Sequence, residues 1–109
     1  MFGNMYGFKE IDPTQLAGLR LRQSIKLIDV RTDAEFAAGR IEGASHLPLH
    51  MLPFKADSLL GAEPVVFYCR TGARSAQAAA FMASRGMSDV YNLVGGIMAW
   101  AQAGQALAA

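Results

Sequence analysis

Residues 65–75, which read VVFYCRTGARS, decide the fold of this chain. The apolar run Val65–Tyr68 is typical of a strand that is buried on both faces of a parallel sheet. A short loop containing one glycine follows, and the small residues from Ser75 onward predict a helix that ends near Arg85. The sequence therefore predicts a strand–loop–helix unit with Cys69, the only cysteine of the chain, at the end of the strand.

Strand and helix patterns alternate along the rest of the chain. The segments with strand character are residues 8–11, 26–30, 45–47, 65–69 and 90–93. One predicted helix begins after the N-cap Asp12, and another begins at the capping box formed by Thr32 and Glu35. Three more helices are predicted to begin near residues 50, 75 and 96. This alternation predicts an α/β fold with a five-stranded, mainly parallel sheet and helices on both faces. We expect residues 1–109 to form one domain, with loose ends at about residues 1–7 and 104–109.

Composition excludes several classes of protein. The chain has 109 residues, of which 52% are apolar and 17% charged, so it can bury the core of one domain. A net charge of +1 argues against nucleic acid as a partner. No stretch approaches the roughly 20 apolar residues of a membrane span, and the first residues lack the pattern of a secretory signal. We therefore expect a soluble, cytoplasmic protein.

The surroundings of Cys69 favour a reactive thiolate over an inert, packed thiol. Ligands bind at the carboxyl ends of strands in open α/β sheets, and a tight loop after such a strand can direct backbone N–H groups at an anion. The next helix adds the partial positive charge of its N-terminus, and Arg70 and Arg74 add full charges if they face inward. All these effects lower the pKa of a thiol. A lone buried cysteine that serves only as a small hydrophobic residue requires none of them.

Four segments in the right order resemble the rhodaneses, the thiosulfate sulfurtransferases, over nearly the whole chain. Residues 69–75 resemble the active-site loop of that family. Residues 27–31 with Glu35 and Phe36 resemble its D-V-R…E-F motif, residues 39–48 its G-H-I-x-G-A…I-P segment, and residues 93–100 its L-x-G-G-x-x-x-W ending. Arg40 stands where histidine is usual, away from the loop. The resemblance is to the single-domain type.

The resemblance implies a two-step sulfur transfer without a cofactor. Cys69 would take the outer sulfur of thiosulfate or another sulfane donor as a persulfide, and an acceptor would then remove it. The implied substrate-binding residues are those of the loop: Arg70, Thr71, Gly72, Ala73, Arg74 and Ser75. Because no second cysteine exists to resolve the persulfide, the acceptor must be external: cyanide, a thiol or dithiol, or a partner protein.

Two other functions remain as alternatives. Phosphatases of the cell-cycle dual-specificity type and some arsenate reductases share the fold and the cysteine, and their loop resembles C-x5-R. Here four residues separate Cys69 from Arg74, and we expect the shorter loop to fit a sulfur atom and to exclude phosphate. The second alternative is a non-catalytic interaction module that carries a persulfide to one partner.

Asp29 and Arg31 are predicted to support the site. Asp29 ends a strand that we expect to lie beside the Cys69 strand, so its carboxylate could hydrogen-bond the loop and fix its shape. Arg31 and Glu35 are four residues apart, a spacing that favours a structural ion pair between them.

Two histidines and one serine have simpler interpretations. His46 and His50 bracket Pro48 without a third ligand nearby, so we expect no metal site. Ser75 fits either an N-cap or a hydroxyl directed at the sulfur, and the cap is the favoured interpretation. Trp100 is expected in the core.

Overall fold

The computed structural model describes residues 7–109, which form seven strands and five α-helices. The strands are β1 (Lys9–Ile11), β2 (Lys26–Asp29), β3 (Arg40–Ile41), β4 (Ser45–His46), β5 (Val65–Tyr68), β6 (Val90–Leu93) and β7 (Leu107–Ala108). The helices are α1 (Pro13–Arg22), α2 (Asp33–Ala38), α3 (Leu52–Leu59), α4 (Ala73–Ser84) and α5 (Gly96–Gln102), with a 3-10 turn at Leu49–Met51 before α3.

The main sheet has five parallel strands in the order β1-β6-β5-β2-β4. This confirms the predicted fold class and all five strand segments. The strand β5 lies at the centre of the sheet, where its apolar side chains are buried on both faces. Asp29 at the end of β2 lies beside Tyr68 of β5, which places Asp29 in the strand next to Cys69 as expected.

Helices cover both faces of the sheet, and β5 contributes alternate side chains to each core. Val65, Phe67 and Cys69 pack with α3 and α4 on one face. Val66 and Tyr68 pack with α1, α5 and Trp100 on the other. This alternation follows from the two-residue period of a strand, and it confirms that Trp100 is a core residue.

The capping boxes of α1 and α2 confirm the local sequence patterns. Asp12 accepts a hydrogen bond from the amide of Gln15 and its own amide donates to the Gln15 side chain. Thr32 and Glu35 make the same reciprocal pair at the start of α2, whose C-cap is Gly39. Each box satisfies backbone groups that the first helical turn leaves without partners.

Two residues of the C-terminal segment predicted to be loose, residues 104–109, form the strand β7. Leu107 and Ala108 pair with Ile41 and Arg40 in a small antiparallel sheet, and the Trp100 indole N–H donates to the carbonyl of Ala106 at 2.9 Å. The β3 partners lie more than 60 residues away from β7 in the sequence, so no local pattern could indicate the pairing of these two strands. At the other end, only Gly7 of the predicted loose residues 1–7 falls inside the described part of the chain.

Two helix boundaries differ from the prediction. The helix predicted to begin near residue 50 is a 3-10 turn followed by α3, since Pro53 occupies the first turn of α3 and lacks an N–H. The helix predicted from Ser75 begins two residues earlier, at Ala73. In the described residues, no helix is long and apolar enough to span a membrane.

Candidate active site

Cys69 lies at the carboxyl end of β5, at the floor of the loop that leads into α4. Its side chain is buried, with 1% of the residue exposed. The loop turns sharply at Gly72, whose φ of +111° belongs to the left-handed region that favours glycine. Gly72 is also the N-cap of α4. This turn brings the start of a twelve-residue helix next to the sulfur, so the partial positive charge of the helix N-terminus acts on Cys69.

Hydrogen bonds from the loop stabilise the Cys69 thiolate. The Gly72 amide donates to Sγ at 3.1 Å and the Ser75 hydroxyl at 3.4 Å. Burial raises the pKa of the thiol, but the hydroxyl of Ser75 and the amides of Ser75, Gly72 and Thr71 lower it more, so the pKa of Cys69 is below its ordinary value. Charge-assisted hydrogen bonds of this kind favour the anion. The hydrogen bonds to Sγ therefore favour the thiolate over the thiol.

Ser75 is not the N-cap that the sequence favoured, because α4 begins before it. It lies in the first turn of the helix, fully buried, with its hydroxyl directed at the sulfur and at Asn92. The hydroxyl donates to Asn92 Oδ1 at 2.6 Å, and the Asn92 amide donates to the carbonyl of Gly72 at 3.3 Å. Because the hydroxyl has one proton, Asn92 and Cys69 share it as acceptors. Asn92 thus fixes both the serine and the turn of the loop.

The N-terminus of α5 holds the loop from the opposite side. The amides of Ile97 and Met98 donate to the carbonyls of Cys69 and Arg70 at 2.9 and 3.2 Å. Gly96 permits this approach: a Cβ at this position would lie 2.4 Å from the Cys69 oxygen and 2.5 Å from the Arg70 oxygen. With these carbonyls bound to α5, the amides that follow are free to face the sulfur.

Arg74 pairs with Glu35, which corrects the predicted pair between Arg31 and Glu35. The two nitrogens of the Arg74 guanidinium donate to the two oxygens of Glu35 at 2.8 and 3.0 Å. Hydrogen bonds from Arg74 first, and then from Thr32, lower the pKa of Glu35 from 4.5 to about 2. The ion pair joins the loop to α2 across 39 residues of sequence, a contact that helical spacing within α2 could not reveal.

Asp29 holds Arg31 rather than the loop. The buried carboxylate accepts from the Arg31 amide and from two guanidinium nitrogens, at 2.7 to 3.0 Å. Arg31 also donates to the carbonyl of Gly39 at 2.6 Å. The predicted bond from Asp29 to the loop is therefore wrong, because the nearest cation occupies the carboxylate. Its role is to fix the arginine that lies beside the site.

Two clefts meet at the Arg74–Glu35 pair. A cleft of about 570 Å³ lies between the ends of β2 and β4, and its lining includes Arg31, Asp33, His50 and Arg74. A second cleft of about 320 Å³ has a lining that includes Arg31, Glu35, Ala38, Arg70, Met98 and Leu107. Thr71 and Ala73 are exposed at the loop surface.

The histidines do not build a metal site within the described residues. His46 stacks on Phe36 with ring centroids 4.4 Å apart, and its Nε2 lies 2.8 Å from the carbonyl oxygen of Arg31. No group of three His, Cys, Asp or Glu side chains suited to hold a metal occurs in residues 7–109. His46 instead helps to fix the backbone next to Arg31.

The sequence of this chain matches a known family along most of its length. Residues 12–103 match the family described as Rhodanese-like domain. The chain belongs to the rhodanese-like family. It is 44% identical over 96 residues to a protein named Sulfurtransferase from Allochromatium vinosum, covering 87% of this chain and 90% of that one. It is 39% identical over 99 residues to a thiosulfate sulfurtransferase GlpE from Pseudomonas putida, covering 88% and 87%.

Solved structures give the same assignment of the fold. A rhodanese-like domain protein from Staphylococcus aureus superposes with a TM-score of 0.79 at 32% identity, covering 85% of this chain and 91% of that one. A protein from Rhodopseudomonas palustris, described as of unknown function and a possible tyrosine phosphatase, superposes with a TM-score of 0.86 at 26% identity, covering 93% and 85%. The rhodanese-like fold thus occurs in proteins to which different chemistries are ascribed.

Sequence reasoning missed Asn92 in this rhodanese-like site. The available signal was a lone amide in the strand Val90–Leu93, which is otherwise apolar apart from Tyr91. A buried polar side chain must find a partner, and the carboxyl end of a neighbouring strand is where a loop would supply one. The pattern therefore could have indicated a role near Cys69.

Proposed function

We propose that this chain is a sulfurtransferase that carries sulfur as a persulfide on Cys69. The observation that supports this most strongly is the loop itself, in which a buried thiol with a lowered pKa accepts hydrogen bonds from the Gly72 amide and the Ser75 hydroxyl. A thiolate is the nucleophilic form of cysteine. The names of the relatives, sulfurtransferase and thiosulfate sulfurtransferase, point to the same chemistry.

In the first step, the Cys69 thiolate attacks the outer sulfur of thiosulfate. The new S–S bond forms as the old one breaks, and sulfite leaves with the electron pair of the broken bond. The persulfide that remains carries one negative charge on its outer sulfur, near the amides that already bind Sγ. Covalent catalysis of this type replaces one difficult exchange with two easier ones.

In the second step, an external nucleophile takes the outer sulfur. Cyanide attacks it, thiocyanate leaves, and the electron pair of the S–S bond returns to Cys69 as thiolate. A thiol or dithiol, free or on a partner protein, would serve in the same way. These 109 residues contain no second cysteine, so no other thiol within them can take the sulfur from Cys69.

A phosphatase is the second function that an observation favours, since the Rhodopseudomonas palustris relative is described as a possible tyrosine phosphatase. Two features argue against it here. Only four residues separate Cys69 from Arg74, and the Arg74 guanidinium already binds a carboxylate through two nitrogens. A phosphate ester would have to compete with Glu35 for that arginine.

The test is formation of thiocyanate from thiosulfate and cyanide, measured beside hydrolysis of an aryl phosphate. We expect wild-type protein to form thiocyanate and a Cys69→Ser variant to lose at least a hundredfold in rate, because a hydroxyl is a poor nucleophile at neutral pH. Aryl phosphate hydrolysis that depends on Cys69, without thiocyanate formation, would establish the phosphatase instead. A Cys69→Ser variant with wild-type activity would remove Cys69 from the mechanism.

A further inference from the structure

The carboxylate of Glu35 has a contact that its capping role does not require. Glu35 is the third helical residue of α2, and its side chain accepts a hydrogen bond from the Thr32 amide at 3.0 Å. In α1, the neutral side chain of Gln15 performs the same task for Asp12 at 2.9 Å. Glutamine therefore suffices for a capping box in this molecule. The negatively charged carboxylate of Glu35 forms an ion pair with Arg74, which is 39 residues away in the sequence.

Each buried or half-buried arginine beside the thiol has its own carboxylate. Arg31 binds Asp29 in a buried pair. Arg74 binds Glu35 through two hydrogen bonds in a half-buried pair, with side-chain exposures of 35% and 30%. Among residues 7–109, Arg70 forms no ion pair, and it is exposed. Full positive charge at the mouth of the loop is therefore carried by Arg70, while Glu35 cancels that of Arg74.

The position of the pair makes this cancellation relevant to the donor. Arg74 lines the wider cleft and Glu35 the narrower one, and Arg74 lies in the first turn of α4, directly before Ser75, whose hydroxyl contacts the sulfur. The hydrogen bond and charge of Glu35 first, and then the charge of Cys69, raise the pKa of Arg74. Asp33 lines the wider cleft too, but its side chain is 93% exposed, so water screens its charge. Of the two arginines of the loop segment, Arg70 therefore keeps its full charge beside the narrower cleft, whereas Glu35 neutralises the charge of Arg74.

We propose that Glu35 determines how strongly the site distinguishes sulfur donors by their charge. By pairing with Arg74, it reduces the attraction for a doubly charged donor and keeps singly charged donors competitive. This inference rests on the proposed sulfur transfer. Glu35 is a specificity-determining residue in this account and does not touch the reacting atoms.

The test compares two donors that differ by one charge, thiosulfate and methanethiosulfonate, in wild-type protein and in Glu35→Gln. Glutamine keeps the capping box and one hydrogen bond to Arg74, and removes only the charge. We expect the ratio of kcat/KM for thiosulfate to that for methanethiosulfonate to rise about three- to tenfold, because one charge near the donor changes its attraction by this order in a half-exposed site. The rise should shrink in high salt.

Asp57→Asn is the matched control. Asp57 pairs with Arg85 at 2.9 Å, at the far end of α4, the helix that begins beside the thiol. The variant removes the same negative charge from the partner of an arginine that lies about 16 Å from Arg74 along the same helix, so the donor ratio should stay at the wild-type value. If the donor ratio shifts as much in Asp57→Asn as in Glu35→Gln, the effect comes from the net charge of the protein. That result would overturn the proposal.

Arg74→Gln removes the charge of the other member of the ion pair. It replaces Glu35→Gln as the test if that variant does not fold. It leaves Glu35 uncompensated, so the donor ratio should fall below that of wild type. An unchanged ratio in both folded variants, with both donors still loading Cys69 in wild type, would overturn the role of Glu35 alone. If neither donor adds sulfur to Cys69 in wild type, the proposed function itself fails.

Discussion

Ser75 contacts the sulfur through both its backbone amide and its side-chain hydroxyl. A substitution can remove the hydroxyl while it leaves the amide in place. The amide belongs to the backbone of α4 and is kept in every substitution except proline. The hydroxyl exists only in serine or threonine, and it also occupies Asn92 Oδ1 at 2.6 Å. A substitution at this one position therefore separates the contribution of the side chain from that of the loop backbone.

Ser75→Ala should raise the pKa of Cys69, because the hydroxyl is the largest of the contributions that lower it. The acid limb of the pH–activity profile should move to higher pH, since thiolate then forms only at higher pH. The pH dependence of alkylation by iodoacetamide measures the thiol directly. Unfolding in urea should show a loss of about 1–3 kcal/mol, because Asn92 Oδ1 loses its buried donor.

Ser84→Ala is the control at the residue scale. Ser84 ends α4, and its exposed hydroxyl donates to the Phe81 carbonyl rather than to the site. Its alkylation profile should coincide with that of wild type. An unchanged profile in Ser75→Ala as well would show that the backbone amides alone set the reactivity of the thiol.

At the scale of elements, the loop is held between α4 and α5, and Gly96, the first residue of α5, permits the loop backbone to approach that helix. The sequence shows Gly95 and Gly96 as part of a family resemblance, but it does not show which atoms require them. The structure gives the reason for Gly96: two backbone oxygens of the loop lie where its Cβ would be.

Gly96→Ala should destabilise the fold by about 2–4 kcal/mol, combining a positive φ of +59° with contact against backbone that cannot rotate away. We expect the loop to shift and the rate of sulfur transfer to fall with it. Gly86→Ala is the matched control, with a φ of +98° and nothing within 4 Å of the added Cβ. It should cost about 1–2 kcal/mol and leave the rate unchanged. Equal losses of stability in urea unfolding would contradict the close-approach argument.

Local patterns predict most elements because their causes are local. The capping boxes at Asp12 and Thr32 act over three residues, and the apolar run of β5 reflects burial on both faces. The contacts that complete the site join Arg74 to Glu35 and Ser75 to Asn92 across 39 and 17 residues. Side-chain pairing over such separations depends on the packed fold, so the sequence indicated the loop but assigned Glu35 the wrong partner.

At the scale of the whole molecule, the order of the strands brings the pieces of the site to one edge of the sheet. β5 lies between β2 and β6, so Asp29, Cys69 and Asn92 lie near the carboxyl ends of three neighbouring strands although they are far apart in the sequence. The small β3–β7 sheet ties the segment after α5 to the segment after α2, and its Leu107 lines the narrower cleft beside the site. It anchors the α5 helix whose N-terminus holds the loop.

Deletion of residues 106–109 tests that anchor. It removes the acceptor of the buried Trp100 indole N–H and the partners of Arg40 and Ile41, so we expect a loss of about 1–3 kcal/mol and a red shift of tryptophan fluorescence. Leu107→Ala keeps the backbone pairing and trims a half-exposed side chain, so it should change stability by less than about 0.5 kcal/mol. A deletion as stable as wild type would show that β7 contributes nothing to the fold.

The central claim is that Cys69 carries sulfur, and the intact mass of the protein tests it most directly. After incubation with thiosulfate and removal of the excess, the mass should rise by one sulfur, roughly 32 Da, and return to its starting value when cyanide is added. Cys69→Ser should show no rise. Unchanged mass in wild-type protein after thiosulfate, or a rise that persists in Cys69→Ser, would contradict the account.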